Sequence, residues 1–380
     1  MSSTVYFADM RSRKQDEGLL HKIRWLFDRA GFGTFVQPDD LVAVKLHFGE
    51  QGNTAFIRPL FIRQIVDRIK ELGGKPYLTD SGTLYIRTRT NAVDHLNTAI
   101  TNGFAYPVVG APILVADGLL GHSTVDVPVD FNYFDTIHIA SDIYYSNAVI
   151  VATHFKGHIS HGFGGTIKNV AMGCASRRGK QEMHCKDLPQ VDPERCSACG
   201  ECVEHCPAGA IRVVGGAAVL SRELCMGCLE CTHVCPCEAI TAPREATHEM
   251  HEKMAEYALG IVRHSRAKFG YMSFLTEITP DCDCNRWADA PIVPDLGILA
   301  SDDPVAIDQA ALDLVNEHAP LPNSALSEKT PKDDDKWQTL WPDIYPYDII
   351  EYAERIGLGS RDYTLVPLDR APEPHCASEE

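Results

Sequence analysis

Eight cysteines fall into two copies of one pattern. CSACGECVEHCP places Cys196, Cys199, Cys202 and Cys206 before Pro207, and CMGCLECTHVCP places Cys225, Cys228, Cys231 and Cys235 before Pro236. Each copy reads CxxCxxCxxxCP, and a constant offset of 29 residues carries Ala210 onto Ala239 and Ile211 onto Ile240. Paired CxxC units also hold zinc in tetrahedral four-cysteine sites. Zinc has no use for a third cysteine and a CP ending repeated twice, whereas iron–sulfur cubanes do. The pattern therefore points to two [4Fe-4S] clusters as cofactors, and to electron transfer. Cys237, directly after Pro236, falls outside it and reads as a spectator thiol.

The repeat resembles the bacterial-type two-cluster ferredoxins. On their pattern three cysteines of a tight loop grip one cubane, while the fourth, on the next helical turn, points to the other. Crossed ligation follows. Cys196, Cys199, Cys202 and Cys235 would hold cluster one, and Cys206, Cys225, Cys228 and Cys231 cluster two.

A second chemistry-bearing stretch is THFKGHISHGFGGTIKNVAMG, residues 153 to 173. It gathers His154, His158 and His161 as candidate proton-transfer or metal groups. Lys156, Gly164, Gly165, Lys168 and Asn169 are candidate binders of a small anion. Glycines let backbone amides approach a ligand, and a helix starting near Thr166 would aim its free N–H groups at it. KLHFGEQGN adds Lys45 and His47 as catalytic candidates, with Glu50 beside them, and PYLTD adds Asp80 as a binding candidate or a turn residue. Cys282 and Cys284 form a CxC between Asp281 and Asp283. A disulfide that short would be strained, so an extra thiol site for a soft metal, a third cluster edge or a substrate is weighed against plain burial. In SDDPVAIDQA, Asp302 reads as a helix cap, and Asp303 or Asp308 as sharing the site. Cys174, Cys185 and Cys376 remain unassigned thiols.

The elements that must position these groups read as α/β. LVAVKLH (41 to 47), PYLTD (76 to 80), AVIVATH (148 to 154) and LGILA (296 to 300) are apolar runs of strand length. Pro59 opens a helix with Ile62, Ile65, Val66, Ile69 and Leu72 at helical spacing, which Gly73 and Gly74 end. A β-α-β unit makes its two strands parallel. Helical patterns also cover 17 to 30, 91 to 102, 248 to 263 and 347 to 356. The polar residues then gather at the strands' carboxyl ends, where open parallel sheets bind ligands. Strands on both sides of the cysteine repeat contribute, which predicts a discontinuous α/β domain, mostly parallel, over 1–186 and 246–380. An α+β two-cluster ferredoxin-like module, 187–245, is inserted in it.

With 380 residues, 44% of them hydrophobic, the chain can bury a large core. The formal charge of −17 becomes about −21 with two clusters, which excludes nucleic acid and anionic membranes as partners. The N-terminal residues lack a signal-peptide pattern and no apolar run reaches membrane length, so the expectation is a cytoplasmic protein.

VKLHFGE, YLTDSGTLY with its RTN, THFKGHISHGFGGTIKN and GILASDDPVAIDQA together resemble the family catalogued as domain of unknown function 362. The resemblance covers nearly the whole chain outside its acidic tail. It implies an iron–sulfur protein and leaves the substrate open. More loosely the chain is similar to the nickel-dependent lactate racemases, whose sites use histidines and lysines. Three functions fit: an oxidoreductase passing electrons to a small anionic substrate or metal, an electron carrier with a docking domain for a redox partner protein, and a metal or cluster maturation factor.

Overall fold

Eight strands build one sheet in the computed structural model, which describes residues 2–85, 87–184, 188–225, 227, 230–241, 244–329 and 335–368. They are β1 (Ser3–Asp9), β2 (Leu41–Lys45), β3 (Lys75–Asp80), β4 (Ile113–Val115), β5 (Ala148–His154), β6 (Lys268–Leu275), β7 (Gly297–Ser301) and β8 (Tyr363–Pro367). Their spatial order is β8-β1-β7-β6-β5-β2-β3-β4. All neighbours pair parallel except β7, which runs antiparallel to both β1 and β6. Mostly parallel is therefore right, with one reversed strand.

Strand periodicity explains the layers. Val42, Val44, Ala148 and Ile150 point into one core, and Ala43, Val149 and Val151 into the other. The first face is covered by α1 (Leu19–Arg29) and α2 (Pro59–Glu71), whose buried Ile62, Ile65, Val66 and Ile69 are the helix-spaced residues of the sequence. Beyond β3, α3 (Ala92–Ala99) starts at an Asn91 cap. The opposite face carries α4 (Thr166–Cys174), α6 (Arg244–His264) and α7 (Pro304–Glu317), with α5 (Arg177–His184) and α8 (Asp348–Arg355) packed beside them. None of the described helices is long and apolar enough to cross a membrane.

Strands β1–β5 precede the cysteine segment and β6–β8 follow it. Within that segment Gln190–Val191 pairs antiparallel with Ile240–Thr241, so the chain enters and leaves side by side. Ile211–Val214 and Ala217–Leu220 form a hairpin. Cys202, Ile211, Ala218, Cys231 and Ile240 make a small core separate from the two cores of the sheet.

The reversal of β7 overturns one expectation. A strand running against its neighbours delivers its carboxyl end to the other edge of the sheet, so Asp302 and Asp303 lie away from the ends of β2, β3 and β5. Asp303, rather than Asp302, caps α7, accepting N–H bonds from Val305 and Ala306 with one oxygen. Its other oxygen accepts from Ser3 Oγ at 2.7 Å and Ser360 N at 2.8 Å.

Candidate active site

At the carboxyl edge of β2, β3 and β5 the loops enclose a cavity of about 180 Å³. Lys45, His47, Asp80, Lys156, His158, His161, Gly164, Gly165, Lys168, Asn169, Cys282 and Cys284 all reach its wall, so most of the site residues expected from the sequence do converge. The wall also holds Arg87, Arg89, Lys180 and Glu230, which no spacing in the sequence marked.

Lys45 ends β2 and Asp80 ends β3, in adjacent parallel strands, so they meet at 3.1 Å with both side chains buried. Lys45 Nζ also donates to Asn169 Oδ1 at 2.7 Å and to the Leu46 carbonyl. Arg89 lies 3.6 Å from the second Asp80 oxygen and donates to Glu50 at 3.1 Å. Burial opposes the Asp80 charge, yet Lys45 and its cationic neighbours hold the carboxyl far below its usual range. Lys45 and Asn169 thus spend their polar atoms on each other, on Asp80, on the Thr153 hydroxyl and on the backbone.

The two-stranded unit after β5, Lys156–His158 with Gly162–Gly164, carries the loop chemistry. Gly157 permits its close approach to the 279–285 loop: a Cβ there would sit 2.0 Å from the Pro280 carbonyl, and its N–H donates to Thr279 O at 2.8 Å. This contact sets His158 beside the CxC. His158, Cys282 and Cys284 bring donor atoms within 4.8 Å of one another, a group able to hold a metal ion. Cys282 is buried, and the Cys284 thiol, Lys156 and His158 hold its thiol well below the ordinary value. Cys284 is raised correspondingly, because the two thiols share a hydrogen bond.

His154 is not in the wall. Its Nδ1 meets Asp283 Oδ1 at 2.9 Å and its Nε2 meets the Thr276 carbonyl at 2.8 Å, so both nitrogens are used to fix Asp283. Burial, first, and nearby cations push His47 and His158 down to about 4 and His161 well below its ordinary value. Held toward their neutral forms, these rings offer nitrogens that can hydrogen-bond, ligate a metal or take up a proton, so they remain candidates for both roles read from the sequence. His158 and His161 stack at 4.6 Å, and His161 faces His251 at 5.4 Å. Lys168, pushed down to about 8 chiefly by burial, makes no hydrogen bond to a described residue. Lys156, despite burial, is raised by Asp283 and the two thiols.

The helix start at Thr166 is as expected, but its first two N–H groups are already taken. Asp308 on α7 accepts from Thr166 N at 2.6 Å and Ile167 N at 2.9 Å, and a Cβ on Gly165 would come within 2.6 Å of its carboxylate. A fixed internal anion thus occupies the place foreseen for a substrate anion. Asp308→Ala is expected to cost about 2 to 4 kcal/mol in urea unfolding, by leaving buried donors unpaired, and Asp308→Asn less. Burial raises the Asp308 carboxyl to about 6. The folded value lies above the unfolded one, so this group's contribution is fully present below pH ~4 and is lost as pH rises through about 6.

Four cysteines of the repeat, Cys196, Cys199, Cys202 and Cys235, line one small cavity together with Val213, Ala218 and Ile240. Burial raises the Cys202 thiol, and Cys196, Cys199 and Cys235 add to it. Cys225 is raised by burial and then by Cys206. Backbone N–H groups point at sulfurs: Ala218 at Cys196, Ala210 at Cys206, Gly227 at Cys225 and Ala239 at Cys235, over 3.2 to 3.4 Å. The sulfurs of Cys196, Cys199, Cys202 and Cys235 thus share one pocket and Cys206 lies near Cys225, and these thiols with apolar walls and N–H donors fit a metal cluster. Cys228, Cys185 and Cys376 lie outside the described residues. Cys231 is buried, and Glu230 before it reaches the large cavity, where Arg87 binds it at 2.7 Å. Arg87 also donates to the Cys284 carbonyl at 2.6 Å.

The model of the family described as "Domain of unknown function (DUF362)" matches residues 42–313. Two solved structures are similar: the lactate racemase apoprotein from Thermoanaerobacterium thermosaccharolyticum and a protein from Thermotoga maritima. The first has 10% identity and a TM-score of 0.35, covering 73% of this chain and 51% of that one. The second has 12% identity and a TM-score of 0.35, covering 68% and 50%. The chain spans about half the length of either. No curated protein matches it. The cysteines and the His158–Cys282–Cys284 group together indicate metal involvement.

Proposed function

Because the chain belongs to the family of domain of unknown function DUF362, whose model spans residues 42–313, we propose for it a function that family membership leaves open: an iron–sulfur oxidoreductase. In this reading residues 187–245 are an inserted ferredoxin-like module, and the discontinuous α/β domain holds a small anionic substrate in the 180 Å³ cavity. Two [4Fe-4S] clusters supply one-electron transfers when bound. Cys196, Cys199, Cys202 and Cys235 would hold one, and Cys206, Cys225, Cys228 and Cys231 the other.

The observation that carries the proposal is the shared wall. Glu230, next to cluster ligand Cys231, lines the cavity and is tied through Arg87 to the Cys284 backbone. An electron donor and a substrate space would thus meet across one part-buried ion pair. The anionic class follows from charge: in a chain of formal charge −17, the wall carries Lys45, Lys156, Lys168, Lys180, Arg87 and Arg89, and once the pairs Lys45–Asp80, Lys156–Asp283, Arg87–Glu230 and Arg89–Glu50 are set aside, Lys168 and Lys180 are left. Lys168 makes no hydrogen bond to a described residue, and it would grip the substrate's anionic group. The histidines would orient its polar atoms.

Anaerobically purified protein is expected to contain about eight iron and eight acid-labile sulfide per chain. Calorimetry should detect binding of one of inorganic phosphate, acetate or pyruvate, weakened at least tenfold by Lys168→Met. Full clusters with no binding of any small carboxylate or phosphate would overturn the oxidoreductase reading in favour of an electron carrier that docks on a redox partner protein.

A further inference from the structure

We infer that His158, Cys282 and Cys284 form a third metal site, which takes one borderline divalent transition-metal ion such as Zn²⁺ and leaves a coordination position open to the cavity. Two sulfurs and an imidazole suit such an ion better than Mg²⁺ or Ca²⁺, which take oxygen. The three donor atoms lie within 4.8 Å of one another, and tetrahedral bonds of ~2.3 Å to sulfur need sulfurs about 3.8 Å apart, so small side-chain rotations suffice. All three residues line the cavity, which puts the fourth position where a water or a substrate oxygen would sit. Three protein ligands with one open place is the arrangement of catalytic rather than structural zinc.

What distinguishes the group from a chance cluster is how firmly its loop is held. The Asp283 carboxylate, between the two cysteines, is fixed by His154 at 2.9 Å and lies 3.6 Å from both Lys156 and His47. The Asp283 carbonyl accepts from Glu50 N at 2.8 Å, the Cys284 carbonyl from Arg87, and the Asn285 carbonyl from Asn53 at 3.1 Å. Buried polar anchors of this kind preorganise ligands. The backbone N–H of Ser160 points at His158 Nδ1 over 3.1 Å. Ligation through Nε2 places the ring proton on Nδ1 and gives up that contact. Lys156 and Lys168 face the thiols and would pair with whatever anion fills the open position.

The site deepens the oxidoreductase reading without depending on the clusters, since none of its ligands belongs to the repeat. The test is therefore metal counted against sulfide. Anaerobically purified holoprotein should carry about one metal ion beyond those matched by acid-labile sulfide, and Cys282→Ser/Cys284→Ser should lose that ion and keep the sulfide. Protein stripped by mild chelation and loaded with Co²⁺ should show the visible bands of tetrahedral thiolate-bound cobalt, which His158→Gln weakens and the double serine variant abolishes. Thermal melts identify any variant that fails to fold, in which case His158→Gln alone decides. A wild-type Co²⁺ spectrum without thiolate bands overturns the proposal, as does a CxC that thiol titration finds as a disulfide. Absent sulfide with intact cobalt bands would instead overturn the cluster reading and leave this site standing.

Discussion

Cys235→Ser is expected to remove the cluster of the first motif, although Cys235 belongs to the second. Cys196, Cys199, Cys202 and Cys235 share one cavity, and Cys235 adds to the rise of the Cys202 thiol. Serine is a poor ligand for iron in a cubane, so iron should fall from about eight to about four per chain. Cys206→Ser should mirror it, emptying the site of Cys225 and Cys231. The discriminating measurement is a pair of double variants. Cys235→Ser with Cys199→Ser damages one cluster twice and should still leave about four irons. Cys235→Ser with Cys225→Ser should leave almost none. Four irons in the second pair and none in the first would establish uncrossed ligation.

Asp80→Asn should be the most destabilising polar substitution in the sheet, costing about 3 to 5 kcal/mol, because it strips the counter-ion from a buried lysine. Lys45 is 1% exposed, and Asp80 is its ion-pair partner among the described residues. Arg89, also 1% exposed, keeps Glu50 and so should not follow it. The urea midpoint reads the loss directly. Lys45→Met in the same chain should return most of it, since removing both charges leaves neither stranded. If the double variant is no more stable than Asp80→Asn, the ion pair is not the cause. The pH dependence has a definite sign. Asp80 lies below its unfolded value when folded, so its contribution is present above pH ~4 and is lost as pH falls toward the folded value.

What could be read from the sequence divides along physical lines. The runs 41 to 47, 76 to 80 and 148 to 154 were legible as parallel strands because both their faces are buried, and Lys45, Asp80 and the cavity loops followed as the residues ending them. Strand β7 was legible as a strand and not in direction. Its apolar run looks the same either way, and direction is set by neighbours distant in sequence. That is why Asp303 was placed at the wrong edge. The α4 start was visible in its glycines, but the carboxylate capping it comes from α7, over 140 residues away. Arg87 and Glu230 escaped notice because an ion pair between residues 143 apart leaves no local spacing. His154 has the right type and position for chemistry, and only its two occupied nitrogens show it as a support for Asp283.

The pairing of β5 with β6 bears on the order in which the molecule can assemble. These neighbours in the middle of the sheet come from residues 148–154 and 268–275, and the whole cysteine repeat lies between them. During synthesis every cysteine of the repeat through Cys235 leaves the ribosome before β6 does. The repeat is then tethered to a half-built sheet with one long unpaired edge at β5, open to aggregation until the next thirty-odd residues arrive. Starving the cell of iron during expression should accordingly show whether the repeat must be filled before that edge closes, read as the soluble fraction of newly made chains.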